Sequence, residues 1–197
     1  MQAGDDDGVA KRYLGPPYGN ALVATRDFAP GDVVLRDAPL LATTEDSQLL
    51  DRIYDAHDAV GIRADLLGKD ASVDFSLQML QYAAADDLTR SKLRSLFTPD
   101  LRSCADEPYV RAATQYAAQL GSAARHAPGD LAASALAPLA RLAPRPDEVA
   151  RVVLAWVCNC YSTVDGGGAL YERGSLVNHC CEGNTRYGAP QWGRDYR

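Results

Sequence analysis

The sequence predicts an α+β protein, because strand-type segments near both ends flank a long block with helical periodicity. The chain has 197 residues, which suits one domain carrying a large insertion. Hydrophobic residues make up 47% of it, enough to form a packed core. The predicted order is a β-hairpin, a group of helices, and a short strand followed by a helical turn.

The first predicted element is a β-hairpin. Residues 21–24 and 32–36 are apolar and partly β-branched, which is typical of strands. Pro30 and Gly31 lie between them and favour a tight turn, since proline presets φ and glycine accepts positive φ. Pro39 lacks an N–H group for ladder pairing, so the second strand is expected to end before it.

The middle of the chain, residues 45–146, is predicted to be a helical insertion. Apolar residues recur at helical spacing over 47–54. A second helix is predicted over 108–124, where five residues form one apolar stripe. These residues are Val110, Ala113, Tyr116, Ala117 and Leu120. Asp147 is the expected N-cap of a third helix that ends near Cys160.

A glycine-rich link, residues 166–168, follows the last predicted helix. A short strand is expected over 169–171 and one helical turn over 173–177. The region from Leu176 to Thr185 then places asparagine, histidine and two cysteines side by side without helical or strand periodicity. Polar groups in such a segment are costly to order unless they bind something.

Charge and composition exclude several classes of protein. A net charge of −6 and a pI near 5.0 argue against a nucleic-acid-binding face. The sequence has no apolar run long enough to span a membrane and no signal-peptide pattern at its start. Its five cysteines suggest no disulfide framework, so a cytoplasmic or nuclear location, or both, is expected.

The cysteines and histidines allow two interpretations, a zinc site or ordinary packing. Cys158 and Cys160 would project roughly 200° apart on a helix, so they are not expected to share a metal ion. Cys104 and these two cysteines are instead expected to be buried as small apolar residues. His57 and His126 are expected at the surface. For His179, a buried structural role and a functional role remain equally open.

Several short motifs nevertheless occur in an order that resembles the SET domain of protein lysine methyltransferases. They are Gly19–Thr25 with the Pro30–Leu35 turn, Val157–Thr163, Gly168–Tyr171, and Asn178–Asn184, which is similar to the N-H-S-C-x-P-N signature. The stretches Val157–Thr163 and Gly168–Tyr171 resemble the SMYD branch, although no MYND zinc finger is present. The resemblance divides the chain into four parts. Residues 13–44 would be the N-terminal part of a SET domain, and residues 45–146 a SET-I-like insertion. Residues 147–187 would be the C-terminal part of the core, and residues 188–197 a tail.

The resemblance implies an S-adenosyl-L-methionine-dependent protein-lysine N-methyltransferase with a SET-type β core. Its partner would be a lysine-containing protein such as a histone, with no direct nucleic acid and no membrane. Seven positions match cofactor-binding positions of the family: Gly19, Asn20, Ala21, Ser175, Val177, Asn178 and His179. Tyr161 matches the aromatic lysine channel, where desolvation favours the neutral, nucleophilic amine.

Some parts of the family pattern have no match in this sequence. Ala21 replaces a glycine, Cys180 a serine and Gly183 a proline. The family's catalytic tyrosine belongs to an E-L-x-x-x-Y segment, which is absent after Asn178, so the catalytic residue is unassigned. Cys181 matches one post-SET zinc ligand without its partners, and no metal is expected. The sequence therefore predicts a C-terminally truncated or inactive methyltransferase with an incomplete SET core, or alternatively a non-catalytic protein-interaction module on a degenerate SET scaffold.

Overall fold

The computed structural model describes residues 8–16, 19–43, 46–163, 167–178 and 185. Within these ranges the protein is mixed α+β, as predicted. The helices are α1 (Ser47–Val60), α2 (Ser72–Ala84), α3 (Asp87–Arg94), α4 (Pro108–His126), α5 (Pro128–Ala133) and α6 (Pro146–Asn159), with 3₁₀ turns at Ala137–Leu139 and Gly174–Leu176. The strands are β1 (Val9–Tyr13), β2 (Asn20–Ala24), β3 (Pro39–Thr43), β4 (Asp65–Leu66), β5 (Lys69–Asp70), β6 (Tyr161–Ser162) and β7 (Gly168–Tyr171).

The predicted pairing of residues 21–24 with 32–36 is wrong. Strand β2 pairs antiparallel with β1, and residues 32–38 form no strand. The turn itself is present: Gly31 has a φ of 93°, and the Asp32 N–H donates to the Ala29 carbonyl at 3.0 Å. The predicted turn is therefore confirmed, but the strand partner of β2 is β1, which lies on the other side of β2 in the sequence.

Strand β3 begins at Pro39, the residue expected to end a strand. Proline is tolerated at the first position of a strand, because its missing N–H is not needed there. Strand β3 joins β7 and β6 in one antiparallel sheet of order β3-β7-β6. The Gly168 N–H donates to Thr43 Oγ1 at 3.0 Å. The two chain segments on either side of the helical block therefore meet in one sheet.

The helical block forms the main hydrophobic core. All five residues of the predicted α4 stripe are buried, and α4 packs against α6. Trp156 on α6 and Tyr82 on α2 are among the largest fully buried side chains. The helical assignments of 47–54 and 108–124 are confirmed, although both helices extend further than predicted.

The predicted cap of α6 is wrong by two positions. Arg145 occupies the N-cap and Asp147 lies in the first turn, where it makes no capping hydrogen bond. Pro146 explains the earlier start, since proline at the first helical position has a suitable φ and lacks an N–H that the helix would not bond. Asp147 remains favourably placed beside the positive end of the helix dipole.

A chain of polar side chains crosses the core, and it corrects the expectation that His57 lies at the surface. His57 is only 3% exposed. Its Nδ1 lies 3.1 Å from Ser72 Oγ and its Nε2 lies 2.8 Å from Ser76 Oγ. Ser72 Oγ donates to Asp70 Oδ1 at 2.5 Å, and Ser76 Oγ lies 2.8 Å from the Tyr116 hydroxyl.

The direction of the hydrogen bonds along this chain follows from its acidic end. An ionised Asp70 only accepts, so the single Ser72 proton goes to it and His57 Nδ1–H must donate to Ser72. Neutral His57 then accepts at Nε2 from Ser76, and Ser76 accepts from Tyr116. The imidazole is thereby held in one tautomer, with every donor in the chain used.

Candidate functional site

The candidate cofactor site lies where β2 meets the 3₁₀ turn Gly174–Leu176, and these two elements pack against each other. The loop before β2 is held by Leu14 and Gly19: the Leu14 N–H donates to the Gly19 carbonyl at 2.8 Å. Gly19 has a φ of 60°, a conformation that favours glycine. At the start of β2, Asn20 is exposed and Ala21 is 1% exposed. The asparagine is thus accessible to a ligand, whereas the alanine is a packing residue.

Asp37 ties the 3₁₀ turn to the segment before β3. Its Oδ2 accepts the backbone N–H groups of Arg173 at 2.8 Å and Gly174 at 2.9 Å. A carboxylate that accepts two backbone N–H groups at the start of a helical turn is a charge-assisted anchor. Arg173 extends the connection to β1, since its Nη2 donates to the Val9 carbonyl at 3.5 Å.

Two tyrosines pack edge to face beside this turn. The rings of Tyr161 and Tyr171 lie 5.8 Å apart at 80°. The Tyr161 hydroxyl donates to the Gly174 carbonyl at 2.8 Å, and Ser175 Oγ donates to the Tyr171 carbonyl at 2.5 Å. The Tyr161 ring is therefore fixed by its contact with Tyr171 and by its hydroxyl, as a rigid aromatic wall requires.

The other predicted cofactor residues follow the turn directly. Val177 is 46% exposed, and Asn178 is exposed. The Val177 N–H donates to the Gly174 carbonyl at 3.1 Å. The predicted residues Asn20, Ala21 and Ser175 thus belong to two elements in contact, with Val177 and Asn178 extending from the second. His179 and Cys181 lie outside the described residues.

The expectation that three cysteines are buried is wrong. Cys104 is half-buried, and Cys158 and Cys160 are exposed. Cys160 lies just past the end of α6 rather than inside the helix, so packing does not enclose the whole residue. Partial burial still raises the pKa of the Cys158 and Cys160 thiols above the ordinary value. Within the described ranges no group of three or more His, Cys, Asp or Glu side chains is placed to hold a metal ion.

Sequence reasoning missed Asp37 and Tyr171 as residues that build this site. Asp37 was visible as a lone acid between the apolar residues 33–35 and Pro39. Its role depends on backbone groups more than a hundred positions away, and no local pattern names them. Tyr171 belonged to a recognised motif, but its ring contact with Tyr161 follows from the pairing of β6 with β7.

No family model, curated protein or solved structure matches the chain. Among the helices of the described residues, none combines the length and apolar character needed to cross a membrane.

Proposed function

We propose that this chain is a SMYD-like SET protein that binds S-adenosylmethionine and methylates lysine side chains of proteins. The observation that carries the proposal is the packing of β2 against the Gly174–Leu176 turn. This packing places the strand that contains Asn20 beside the turn that leads into Asn178, although most of the sequence separates the two segments. The class of fold that the proposal requires, α+β with a helical insertion, agrees with the observed architecture.

The chemistry of methyl transfer suits a site of this kind. The cofactor supplies a reactive sulfonium, so the protein has to hold it, orient it and exclude water. The side chains of Asn20 and Asn178 are both exposed and offer amide donors and acceptors for the cofactor's polar ends. Ser175 would act through the turn that it stabilises, because its hydroxyl is already bonded to Tyr171.

The substrate would be a protein lysine, with histones as one candidate group, in the cytoplasm, the nucleus or both. A lysine amine must lose its proton before it attacks the methyl group. An aromatic wall formed by Tyr161 and Tyr171 favours the neutral amine, because it offers little solvation to the cation's N–H donors. No residue among those described is assigned as the catalytic base.

Cofactor binding tests the proposal directly. Titration calorimetry with S-adenosylmethionine should give saturable binding to the full chain. The Asn178→Ala variant should bind about tenfold more weakly, the effect of losing one or two hydrogen bonds in a desolvated site. Gln48→Ala, an exposed amide on α1, is the matched control and should bind like the parent. Absence of binding, or equal affinity of the two variants, contradicts the proposal.

Methyl transfer is the second test. Incubation with labelled cofactor and either histones or total cell protein should label lysine residues. Cofactor binding without methyl transfer would support cofactor recognition and refute the proposed methyltransferase activity.

A non-catalytic interaction module is the alternative, and one observation favours it. A surface cavity of about 360 Å³ lies in the helical block and is lined by apolar and small residues, among them Leu131, Ala140 and Pro144. Such a concavity suits an apolar side chain of a protein partner. Ala140→Arg should fill it and abolish capture of partners from a lysate while S-adenosylmethionine binding is unchanged. Gln48→Arg is the control, and capture that survives Ala140→Arg counts against this function.

A further inference from the structure

A second surface groove, of about 280 Å³, concentrates positive charge on an acidic protein. Its charged lining residues are Arg90, Arg94, Arg141, Arg145, Asp87 and Glu148. These four guanidinium groups and two carboxylates sum to +2, whereas the whole chain carries −6. The groove lies on the helical block, where α2, α3, α6 and the segment 141–145 before α6 contribute its walls.

One pair of arginines converges on Glu148. Arg94 Nη1 lies 3.5 Å from Oε1 of this residue, and Arg145 Nη1 donates to its Oε2 at 3.2 Å. The Tyr82 hydroxyl also donates to Glu148 Oε1, at 2.6 Å. The arginine side chains are 50% and 63% exposed, so both remain within reach of a dissolved or protein-borne group.

The other pair converges on the C-terminal end of α2. The guanidinium groups of Arg90 and Arg141 both donate to the Ala83 carbonyl, the first at 3.5 Å. Arg90 also pairs with Asp87 at 2.6 Å. Among the described residues no carboxylate pairs with Arg141. Each guanidinium carries five N–H donors, so these contacts leave donors available to a ligand.

We propose that this groove binds a phosphate monoester. A dianionic phosphate balances the local charge of +2, and its oxygens match the fork of paired N–H groups that each arginine presents. A carboxylate ligand would leave one positive charge uncompensated. A long polyanion such as a nucleic acid would extend beyond the groove onto a surface of net negative charge, which disfavours it.

The phosphate group has two possible sources with the same chemistry, a phosphorylated protein side chain or a small phosphate ester. The test therefore uses inorganic phosphate, O-phosphoserine and a short phosphoserine peptide, each titrated into the full chain at pH 7.5. Chloride at matched ionic strength is the reference, because it reproduces charge screening without the tetrahedral oxygens. Tighter binding of the peptide than of phosphoserine identifies a protein-borne group, and equal binding identifies a small ester.

Three single variants separate a binding site from a purely structural network. Arg145→Gln should weaken phosphate binding about tenfold, the usual order for loss of a charge-assisted hydrogen bond. Glu148→Gln should tighten binding several-fold, because it removes the competing carboxylate while its amide oxygen still accepts from Tyr82. Arg111→Gln, an exposed arginine on α4 outside the groove, should have no effect.

Opposite signs for Arg145→Gln and Glu148→Gln are the diagnostic result. A structural network would lower the melting temperature in both variants without moving the phosphate affinity. If phosphate binds no better than chloride, or if Arg111→Gln loses as much affinity as Arg145→Gln, the assignment is wrong. Titration of the same variants with S-adenosylmethionine distinguishes this result from the proposed methyltransferase activity. None of the substituted residues belongs to the candidate cofactor site at β2 and the Gly174–Leu176 turn, so cofactor affinity should not change.

Discussion

Acidification should destabilise this protein through His57. The pKa of His57 is lowered from its ordinary 6.5 to about 4, chiefly because burial disfavours the cation, with partial opposition from the nearby carboxylates of Asp70 and Asp58. The unfolded chain therefore binds a proton that the folded protein excludes between these two pH values. The stability that His57 contributes is complete above pH 6.5 and is lost as the pH falls to about 4.

The magnitude follows from the size of the pKa shift. One pKa unit corresponds to about 1.4 kcal/mol, so the full loss is about 3 kcal/mol, of which about 2 kcal/mol has disappeared by pH 5. The hydrogen-bond chain gives a structural reason for the loss. A proton on Nε2 would turn that atom into a donor, so the Ser76 hydroxyl could no longer donate to it. Only one of the Ser76 and Tyr116 hydroxyls could then donate to the other, which leaves one buried donor without an acceptor.

Urea unfolding followed by circular dichroism at pH 7, 6, 5 and 4.5 measures this loss. His57→Gln should be less stable at pH 7 but should lose about 2 kcal/mol less than the parent between pH 7 and 5. His126→Gln is the matched control, because His126 is exposed at the end of α4 and should leave the pH slope unchanged. Equal pH slopes for the parent and His57→Gln would refute the reasoning, since carboxylates common to both proteins would then account for the acid sensitivity.

Three further changes test other contacts. Gly168→Ala should lower the free energy of unfolding in urea by about 1–3 kcal/mol, because a Cβ there would lie 2.5 Å from Cys160 Sγ. Adding Cys160→Gly to the same chain should recover most of that loss, and no recovery would point to a backbone cause. Trp156→Phe should lower the free energy of unfolding by roughly 1 kcal/mol less than Trp156→Leu does, because phenylalanine keeps an aromatic ring and leaves the smaller cavity. Neither change loses a hydrogen bond, since the buried Nε1 has no partner among the described residues, and equal losses would contradict the cavity argument. Asp37→Ala should speed amide exchange at residues 173 and 174 by at least about tenfold, whereas unchanged exchange would show that the carboxylate is not the anchor.

Much of the helical block was predictable because its information is local. Periodic apolar residues identified the regions of α1 and α4, and an expected N-cap after a proline identified the region of α6. The α4 stripe is buried as expected. Proline and glycine also marked the turn near Gly31 correctly. Each of these features depends on residues a few positions apart, so the sequence expresses them directly.

The candidate site was only partly predictable. The motifs named Asn20 and Asn178, and their use in one cofactor site stays a prediction; the structure shows that β2 packs against the Gly174–Leu176 turn. The anchor Asp37 was missed, and His57 was placed at the surface although it is buried. Both errors concern side chains whose partners lie on other elements, and their polarity alone does not predict that they are enclosed.

The sequence by itself determined the α+β class, the presence of a helical block in the middle of the chain and the order of the motifs. Tertiary structure alone decided that β2 pairs with β1, that β3 joins β7 across the insertion, and that four arginines meet in one groove. The physical reason is that strand pairing and charge clustering depend on which distant segments meet. That choice is made by burial of apolar surface over the whole chain, whereas helix periodicity and turn chemistry act within a few residues.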